Sequence, residues 1–460
     1  MYPYQREIVS IEPSQRCVVI GAGAAGLFGA IACAEAAPQA AVHILEAGRE
    51  PLTKVRISGG GRCNVTHACF DPALLVTHYP RGSRALRGAF SRFQPQDTVA
   101  WFQRRGVSLK TEADGRMFPT TDDSGTIIDC LLGEARRLGI CLHTGAPVRA
   151  IERHPSGFQI VAKNTAHSRE GRSNPGNLSS PLGAHTVLLA TGSSPAGFRL
   201  AKALGHTLIP PVPSLFTFNI QDRALHGLAG VSVEPVELTL NVPGEKPLKQ
   251  TGPLLVTHWG LSGPAVLKLS AYGAVGLHRQ RYRAELRVNW LPSQSQEDIR
   301  SQCLHMKTNQ GKRMILNSCP VPLPRRLWHY LVLHRVGLSP ELTWANLSKQ
   351  GLQKLLVELN QGLYAISGKG VFKEEFVTCG GIRLRDVNFK TMESRLCPGL
   401  YFAGEVLDVD GITGGFNFQN AWTTGWLAGQ AMAAALTANK TSAPDQTQGP
   451  ARNRQSDSRC

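Results

Sequence analysis

Three glycines near the N-terminus have the spacing of a dinucleotide-binding turn. Gly21, Gly23 and Gly26 follow a short β-branched run and begin an Ala-rich stretch. The first glycine permits a tight bend, the second lets the backbone approach a pyrophosphate, and the third lets the helix pack closely on the strand. The N–H groups and positive dipole of the helix N-terminus would face the phosphates. A Gly-rich packing turn is the alternative interpretation.

An acidic residue in register with this turn makes the dinucleotide interpretation more specific. Glu46 lies 20 residues after Gly26, at the end of the next predicted strand, Val42–Ala47. A carboxylate there can accept hydrogen bonds from the ribose hydroxyls, and it disfavours a 2′-phosphate. Together the two features predict a bound dinucleotide. The neighbouring predicted contacts are Ala24, Ala25 and Ala47.

A second candidate motif has three consecutive glycines followed by Arg and Asn. Its backbone could lie flat against a planar or anionic ligand, because glycines leave one face of the chain open. Arg62 could neutralise a phosphate, and Asn64 could form a hydrogen bond with a ring edge. The alternative is a surface loop that needs positive φ several times. The predicted contacts are Lys54, Ser58, Gly59, Gly60, Gly61, Arg62, Cys63 and Asn64.

Two further segments complete the predicted dinucleotide site. The apolar run Leu188–Pro195 ends in a small-residue turn, which is typical of a chain re-entering a dinucleotide domain. In Gly399–Gly429 an apolar strand ends in a Gly-Glu pair, and a Gly pair precedes a helix whose positive end could stabilise an anionic ring. Simple strand–helix closure is the alternative for the second segment. The predicted contacts are Ala190, Thr191, Gly192, Gly404, Glu405, Asp408, Gly414, Gly415, Asn417 and Gln419.

The elements that position these motifs predict an α/β fold of several domains. The chain has 460 residues, which is too long for one small core. A βαβ unit at the N-terminus and the strand–helix pair at the C-terminus predict a Rossmann domain, 16–212 with 373–436, built from both chain ends. The remaining predictions are a β-rich domain at 213–293 with 360–372, a helical insert at 294–359, and a disordered tail at 437–460. Within these ranges, 164–183 is predicted to be a flexible hairpin loop, and Pro210–Pro213 a boundary.

Composition narrows the class of protein and suggests a partner. The formal net charge is +17, which predicts attraction to polyanions such as nucleic acid. The 11 Cys show no CxxC pair, so neither a disulfide scaffold nor a metal site is predicted. The sequence has neither an apolar stretch long enough for a membrane span nor a secretion signal, and we therefore expect a cytoplasmic protein.

Two segments are candidate nucleic-acid surfaces. Residues 81–110 hold seven basic residues against one acid, interleaved with the aromatic side chains of Phe90, Phe93, Trp101 and Phe102. Such interleaving suits a phosphate backbone with stacked bases. Residues 294–362 hold nine basic residues and four acids. The alternative is a solvated basic face with the aromatic residues in the core.

The motifs in this order resemble one family along nearly the whole chain, from Arg16 to Leu436. VVIGAGAAGL, ISGGGRCNVTH, VTHWGLSGPAVLKLS and GLYFAGEVLDVDGITGGFNFQNAW are similar to the BaiN-like, or aminoacetone-oxidase-type, NAD(P)/FAD-dependent oxidoreductases. The resemblance implies a glutathione-reductase-like FAD domain with an inserted antiparallel β domain and a small helical domain. It also implies FAD as cofactor, with Val148 among its contacts. The segment after Gly192 is shorter than the corresponding loop of similar proteins.

The resemblance implies reduction of a carbon–carbon double bond by hydride from flavin, on a steroid enone or on uridine of large-subunit ribosomal RNA. The second hypothesis is a small-molecule flavin oxidase or enone reductase, and the third is a non-catalytic FAD-containing RNA-binding factor. NAD(P)H is the expected electron donor. Its binding is expected to be transient, because no second GxGxxG motif indicates a separate nicotinamide domain. Reduction also needs a proton from a general acid. The candidates are His258 and Cys63, each of which could instead be a structural residue.

Overall fold

The computed structural model describes residues 15–163, 181–370 and 377–441. The predicted βαβ unit is present as the strand Arg16–Ile20, the helix Ala24–Ala36 and the strand Ala41–Leu45. These strands lie in the interior of a seven-stranded sheet in which five consecutive strands run parallel and the other two form an antiparallel hairpin at one edge. In spatial order the sheet consists of Val387–Asn388, Glu393–Ser394, Leu400–Phe402, Thr186–Leu189, Arg16–Ile20, Ala41–Leu45 and Cys141–His143.

The first and last described helices cover the central strands from one side. The C-terminal helix, Phe416–Thr441, packs against Ala24–Ala36 at glycine positions. A side-chain carbon on Gly425 would lie 2.6 Å from the carbonyl oxygen of Ala25, and one on Gly429 would lie 2.4 Å from that of Gly29. Only glycine permits this approach, so both ends of the chain close one domain core.

The middle of the chain forms a closed six-stranded antiparallel barrel. Val236, Leu238 and Leu240 are buried while their neighbours face outward, as expected of strands with one buried face. The predicted antiparallel β region is therefore present. In order around the barrel the strands are Phe218–Ile220, Gly260–Ser262, Leu248–Thr257, Ser232–Asn241, Ala284–Asn289 and Gly362–Lys369.

The predicted helical insert is helical and shares its core with the barrel. Its main helices are Gln296–Asn309, Arg325–Tyr330 and Lys349–Gln361, with a π-helical turn at Leu331–Val336. Their apolar side chains join those of the barrel in one hydrophobic cluster, which is separate from the cluster of the Rossmann region. The insert is therefore stabilised mainly by the barrel against which it packs.

The two segments that connect the Rossmann region to the barrel pair with each other. Leu208–Ser214 runs antiparallel to Val377–Ile382, and its register shifts between Ile209 and Val212. The prolines at 210–213 lie inside the first of these strands, so the predicted boundary falls on a strand that connects the two regions. Proline is tolerated there because the strand belongs to a two-stranded sheet with a register irregularity.

Two sequence predictions reach the edges of the described chain. The strands Gly157–Ala162 and Leu182–Ala184 pair antiparallel, so the predicted hairpin connects neighbouring strands, while 164–180 lie outside the described residues. The tail predicted from Thr437 begins too early, because the terminal helix continues to Thr441. Residues 442–460 lie outside the description.

The remaining elements surround these two regions. No helix among the described residues has both the length and the apolar character needed to cross a membrane. The other strands are Thr66–His67, Leu109–Thr111, Arg116–Pro119 and Val148–His154, and the other helices are Thr53–Ile57, Pro72–Leu75, Ser83–Phe90, Pro95–Gln103, Ser124–Arg137, Pro195–Ala203, Arg223–His226, Pro264–Tyr272 and Ala274–Arg279. Short 3₁₀ turns lie at Ser58–Gly61, Val76–His78, Ile315–Asn317, Trp344–Asn346, Leu384–Asp386 and Gly404–Val406.

A pair of imidazoles on the central sheet predicts how stability changes with pH. His43 Nδ1 lies 3.2 Å from His143 Nε2, and burial together with the nearby Arg16 charge lowers the pKa of His43 to about 4. Between pH 6.5 and 4 the unfolded chain binds a proton here that the folded chain does not, so stability falls as the pH drops through this window. Urea unfolding at pH 7 and 5 measures the loss. His43→Gln should reduce it, and the same change at the exposed His305 should not.

Candidate cofactor site

A cavity of ~680 Å³ lies at the carboxyl ends of the parallel strands. The residues that directly follow four of these strands line it: Gly21, Glu46, Ala190 and Ala403. This edge is where ligands bind in open α/β sheets, because the loops after the strands and the helix N-termini converge there. The predicted motifs thus meet in one place although they are separated by up to several hundred residues.

The three glycines of the first motif have the three different roles expected of them. Gly21 has φ 102°, and a side-chain carbon on it would lie 2.5 Å from the Ala190 carbonyl oxygen. A carbon on Gly26 would lie 1.9 Å from the carbonyl oxygen of Gly21. A carbon on Gly23, in contrast, meets nothing within 4 Å and would occupy space at the cavity. Gly21 and Gly26 shape the turn, and Gly23 leaves the room that a phosphate needs.

Glu46 is held at the cavity by two backbone donors. Its carboxylate accepts hydrogen bonds from the N–H groups of Ala22 and Gly48, each at 2.7 Å. These bonds fix the side chain across the glycine turn from the start of the helix Ala24–Ala36. A carboxylate in this position can accept further hydrogen bonds from hydroxyl groups of a ligand, because each oxygen has a second lone pair.

Lys54 and Glu405 join two loops across the cavity. The Lys54 ammonium donates to the Glu405 carboxylate at 2.6 Å, and the two side chains are 56% and 16% exposed. The pair connects the helix Thr53–Ile57 with the turn Gly404–Val406 that follows the strand Leu400–Phe402. Because the lysine is largely in water, the pair can open for a ligand at little cost.

The triple-glycine loop and the start of the C-terminal helix contact each other. Gly59, Gly60 and Gly61 all have positive φ, and side-chain carbons on the last two would meet nothing within 4 Å. When its amide is oriented to satisfy both neighbours, Asn64 donates to the Thr66 carbonyl and accepts from the Gly415 N–H, each at 3.0 Å. Asn64 therefore fixes the loop to the helix start, in addition to lining the cavity.

One observation shows that the cavity suits an anionic ligand. The N-cap of the helix Ala24–Ala36 is Gly23, which supplies no side-chain cap for the first N–H groups. Uncapped N–H groups at a helix N-terminus bind anions, so this feature fits a ligand with phosphate groups.

The loop after Gly192 also reaches the cavity. Ser193 and Ser194 line it, and the helix Pro195–Ala203 begins directly afterwards. The shorter segment in this chain therefore still contributes to the cavity wall.

Eighteen of the predicted cofactor contacts line the cavity, and eight do not. Those in the lining are Gly21, Gly23, Ala24, Ala25, Glu46, Lys54, Ser58, Gly59, Gly60, Asn64, Ala190, Thr191, Gly192, Gly404, Glu405, Gly414, Gly415 and Asn417. Those outside it are Gly26, Ala47, Gly61, Arg62, Cys63, Val148, Asp408 and Gln419. Lining residues absent from the prediction include Leu52, Ile57, Leu215, Val377, Ile412 and Phe418. All six are apolar, and motif reasoning missed them because it looked for glycine turns and polar side chains.

Three of the excluded residues are polar and have protein partners instead. Arg62 pairs with Glu112 at 2.7 Å and lies over the Phe118 ring at 4.0 Å, so its charge is compensated within the protein, and the predicted phosphate contact stays a prediction. Asp408 accepts from the Gly380 N–H at 3.0 Å, and burial raises its pKa. Gln419 is fully buried and accepts from the Thr66 and Thr98 hydroxyls.

Four more of the predicted contacts lie outside the cavity lining because of their local structure. Ala47 is exposed, and Val148 starts a strand that pairs with Ala162 in a separate sheet. Gly26 and Gly61 shape the turns on which their neighbours reach the cavity.

The two candidate general acids lie outside the cavity lining. Cys63 is fully buried, and burial raises the pKa of its thiol to about 12, which opposes proton transfer near neutral pH. His258 is exposed on the turn between Leu248–Thr257 and Gly260–Ser262. This geometry favours a packing role for Cys63.

The aromatic residues of the predicted surface at 81–110 belong to the core. Phe90, Phe93, Trp101 and Phe102 are each at most 4% exposed, and the rings of the last three contact Phe28 or Trp422 in tilted or edge-to-face geometry. They are therefore unavailable for base stacking, which corrects that part of the prediction.

The cations of this segment divide into two groups. Arg81, Arg105 and Lys110 pair with carboxylates, whereas Arg84, Arg87, Arg92 and Arg104 are exposed, Arg92 donating to the Lys390 carbonyl. In 294–362, Arg335 pairs with Glu358, and Lys312, Arg313, Lys349 and Lys354 are exposed.

A family model and several relatives match this chain over most of its length. The HI0933-like protein Rossmann domain matches residues 15–431. A ribosomal RNA dihydrouridine synthase of Escherichia coli K12 is 30% identical over 424 residues, which cover 91% of this chain and 98% of that protein. One from Haemophilus influenzae Rd is 29% identical, covering 89% and 96%. A 3-dehydro-bile acid delta(4,6)-reductase of Clostridium scindens is 30% identical, covering 91% and 99%.

These matches extend over the Rossmann region, the barrel and the insert alike, and they agree with the resemblance seen in the motifs. The chain belongs to the HI0933-like Rossmann-domain family.

Proposed function

We propose that the protein is an FAD-dependent oxidoreductase that reduces a carbon–carbon double bond. The observation that carries the proposal is the convergence on one cavity of the Gly23 turn, the Glu46 carboxylate and the start of the C-terminal helix. The first two suit the ribose and pyrophosphate of a dinucleotide. The positive end of the third suits a ring that becomes anionic on reduction.

Different residues of the cavity would bind different parts of FAD. Glu46 would accept hydrogen bonds from ribose hydroxyls, and the N–H groups after Gly23 would bind the pyrophosphate. Asn417 donates to the Gly411 carbonyl at 2.9 Å and accepts from its N–H at 2.8 Å, which holds the loop before the terminal helix in place. FAD, when bound, supplies hydride transfer, and NAD(P)H is the donor we propose for it.

The favoured substrate is uridine in large-subunit ribosomal RNA, which would become dihydrouridine. Two of the similar proteins are named ribosomal RNA dihydrouridine synthases, and the formal net charge of +17 suits a polyanion. We accordingly propose a cytoplasmic location. Reduction of a free enone is the second candidate, since the relative from Clostridium scindens is named a bile acid reductase. The alternative that is not an enzyme is an FAD-containing RNA-binding factor.

Absorbance spectra of the purified protein test the function. We expect oxidised-flavin bands, their bleaching on anaerobic addition of NADPH or NADH, and their return when a large-subunit ribosomal RNA transcript or 2-cyclohexen-1-one is added. Bands that neither nicotinamide bleaches would support the non-catalytic alternative. Protein that binds no flavin even after incubation with FAD would overturn the proposal.

We propose the exposed face of the helix Ser83–Phe90 as part of the RNA contact. Arg84 and Arg87 face solvent while Leu86, Ala89 and Phe90 are buried, so the cations can be changed without disturbing the core. Because each lost phosphate contact lowers the salt slope by roughly 0.7 to 0.9, the double change R84E/R87E should lower it by one to two units. RNA binding at several salt concentrations measures this slope. Arg153→Glu, at an exposed position of the strand Val148–His154, is the control. Equal slopes for R84E/R87E and the wild-type protein would exclude this face.

A further inference from the structure

The segment 64–78 is attached to the cavity wall at both of its ends. At the first end, the Asn64 amide, oriented to satisfy both neighbours, accepts from the Gly415 N–H at 3.0 Å. At the other end, the N–H of Ile412 donates to the His78 carbonyl at 3.0 Å. Asn64, Gly415 and Ile412 all line the cavity. The residues in the middle of the segment are therefore held beside the cavity.

Aromatic packing fixes this segment on the C-terminal helix. The rings of His67 and His78 stack on Phe416, with centroids 4.7 and 4.4 Å away. Phe416 is 2% exposed and begins the helix. The Tyr272 hydroxyl, from a helix of the barrel region, donates to the Thr77 carbonyl at 2.7 Å. The backbone of the segment is thus held from the Rossmann side and from the barrel side.

The middle of the segment exposes two large apolar side chains. Phe70 is 46% exposed and Leu74, four residues later, is 59% exposed. Phe70 is the most exposed Phe, Tyr or Trp among the residues that the structure describes. Between the two, the Asp71 carboxylate caps a short helix by accepting from the Ala73 N–H at 2.8 Å. Scattered single apolar residues on a surface are ordinary, but an exposed pair on a fixed backbone beside a cavity is typical of a contact surface.

Phe70 is close to the cavity along the chain. A side-chain carbon on the lining residue Gly414 would lie 3.4 Å from Cδ2 of His67. Phe70 follows His67 by three residues, which span at most about 11 Å. Successive bases of a stacked strand are about 3.4 Å apart, so this distance corresponds to a few nucleotides. A nucleotide near one whose base lies in the cavity can therefore reach Phe70.

Two exposed cations lie on the neighbouring helix. The helix Ser83–Phe90 contacts the helix Pro72–Leu75, and its Arg84 and Arg87 are exposed and form no ion pair with any described residue. An exposed aromatic ring with cations beside it is the combination that binds a single-stranded nucleic acid. A stable protein interface would need about 800 Å² on each partner, which is far more than two apolar side chains provide. The surface therefore favours RNA over a protein partner.

We propose that Phe70 stacks on a base of ribosomal RNA that flanks the substrate uridine, with Leu74 extending the apolar surface. The inference rests on the proposed function and adds to it a contact outside the cavity. A uridine that is reduced in the cavity must leave its stack, so the bases next to it lose a stacking partner. The Phe70 ring replaces that partner, while Arg84 and Arg87 bind the phosphates.

Filter binding of the ribosomal RNA transcript at several salt concentrations tests the inference. Phe70→Ala should weaken binding by about 5- to 140-fold, the range for loss of one stacked base. Its salt slope should equal that of the wild-type protein, because no phosphate contact is lost, whereas R84E/R87E should lower the slope. Phe70→Trp should retain the affinity. Phe70→Leu, which keeps an apolar side chain but not the ring, should lose most of it.

Reoxidation of the reduced flavin separates the RNA contact from the chemistry. In Phe70→Ala, bleaching by NADPH and reoxidation by 2-cyclohexen-1-one should keep their wild-type rates. The transcript concentration that gives half-maximal reoxidation should rise by the same factor as the loss of binding. Leu396→Ala is the control and should change neither quantity, since Leu396 is 47% exposed at the hairpin edge of the central sheet and lies outside the cavity lining.

The outcomes distinguish this inference from the proposed function. Wild-type affinity of Phe70→Ala for the transcript would overturn the inference, leave the proposed function standing and point to a protein as the partner of this surface. Full affinity in Phe70→Leu would also overturn it, because an apolar contact without a ring is not stacking. A wild-type protein whose reduced flavin is not reoxidised by the transcript would instead contradict the RNA substrate of the proposed function.

Discussion

Gly23→Val is expected to abolish FAD binding while the protein remains folded. A side-chain carbon at this position meets nothing within 4 Å, and the backbone has φ −81°, which any residue can adopt. The Cβ of the new side chain would therefore enter the space proposed for the pyrophosphate without clashing with the protein. We expect FAD affinity to fall by at least about 100-fold, or ~2.8 kcal/mol. Flavin retained per protein and titration of the apoprotein with FAD measure the effect.

Two other glycines serve as comparisons for this prediction. Gly133→Val, in the helix Ser124–Arg137, also enters open space but lies outside the cavity, and it should retain FAD. Gly26→Ala should instead destabilise the fold itself, because its carbon would lie 1.9 Å from the Gly21 carbonyl oxygen. Equal FAD content in Gly23→Val and wild type would show that the pyrophosphate does not bind at this turn.

Arg81→Met is expected to cause a large loss of stability. Arg81 pairs with the fully buried carboxylate of Asp410, which also accepts from the Ser214 hydroxyl at 2.8 Å. Removing the cation leaves a buried charge without compensation, which costs about 3–5 kcal/mol. The pair and the Ser214 hydroxyl connect three parts of the chain: the segment that holds Arg81, the strand Leu208–Ser214, and the loop of Asp410 that leads to the lining residue Ile412. Urea unfolding measures the change, and the variant should also hold FAD more weakly.

An exposed ion pair in the same segment supplies the control for Arg81→Met. Lys110 pairs with Asp122, and the two side chains are 40% and 43% exposed, so Lys110→Met should cost only about 0–1 kcal/mol. The double change Arg81→Met with Asp410→Leu should recover part of the loss, because no unpaired charge remains. A cost of less than about 1 kcal/mol for Arg81→Met alone would contradict the assignment of a structural ion pair.

Substitution of the exposed cations of residues 81–110 and substitution of Arg81, in its buried ion pair, should affect stability differently. Arg84 and Arg87 can be reversed in charge with little structural cost, whereas Arg81 cannot. The composition of the segment therefore overstated its capacity for RNA, because part of its charge stabilises the fold. Its aromatic residues likewise belong to the core that packs on Phe28.

The local motifs were predictable because their steric requirements act within a few residues. Gly21, Gly23 and Gly26 have distinct roles that follow from one turn, and Glu46 follows from the length of one βαβ unit. The strand alternation of Val236, Leu238 and Leu240 likewise depends only on neighbouring positions. Such features determined the Rossmann fold, the antiparallel region and most of the cavity lining.

The direction of each polar side chain was decided by tertiary structure. Arg62 and Gln419 have residue types suited to a cofactor, yet their partners, Glu112 and Thr66, come from distant parts of the chain and remove them from the cavity. His67 and His78 are 11 positions apart, and packing on Phe416 brings their rings together. A sequence specifies local geometry directly. Contacts between distant residues depend on which segments the fold brings together, and these contacts decide which polar side chains remain available to a ligand.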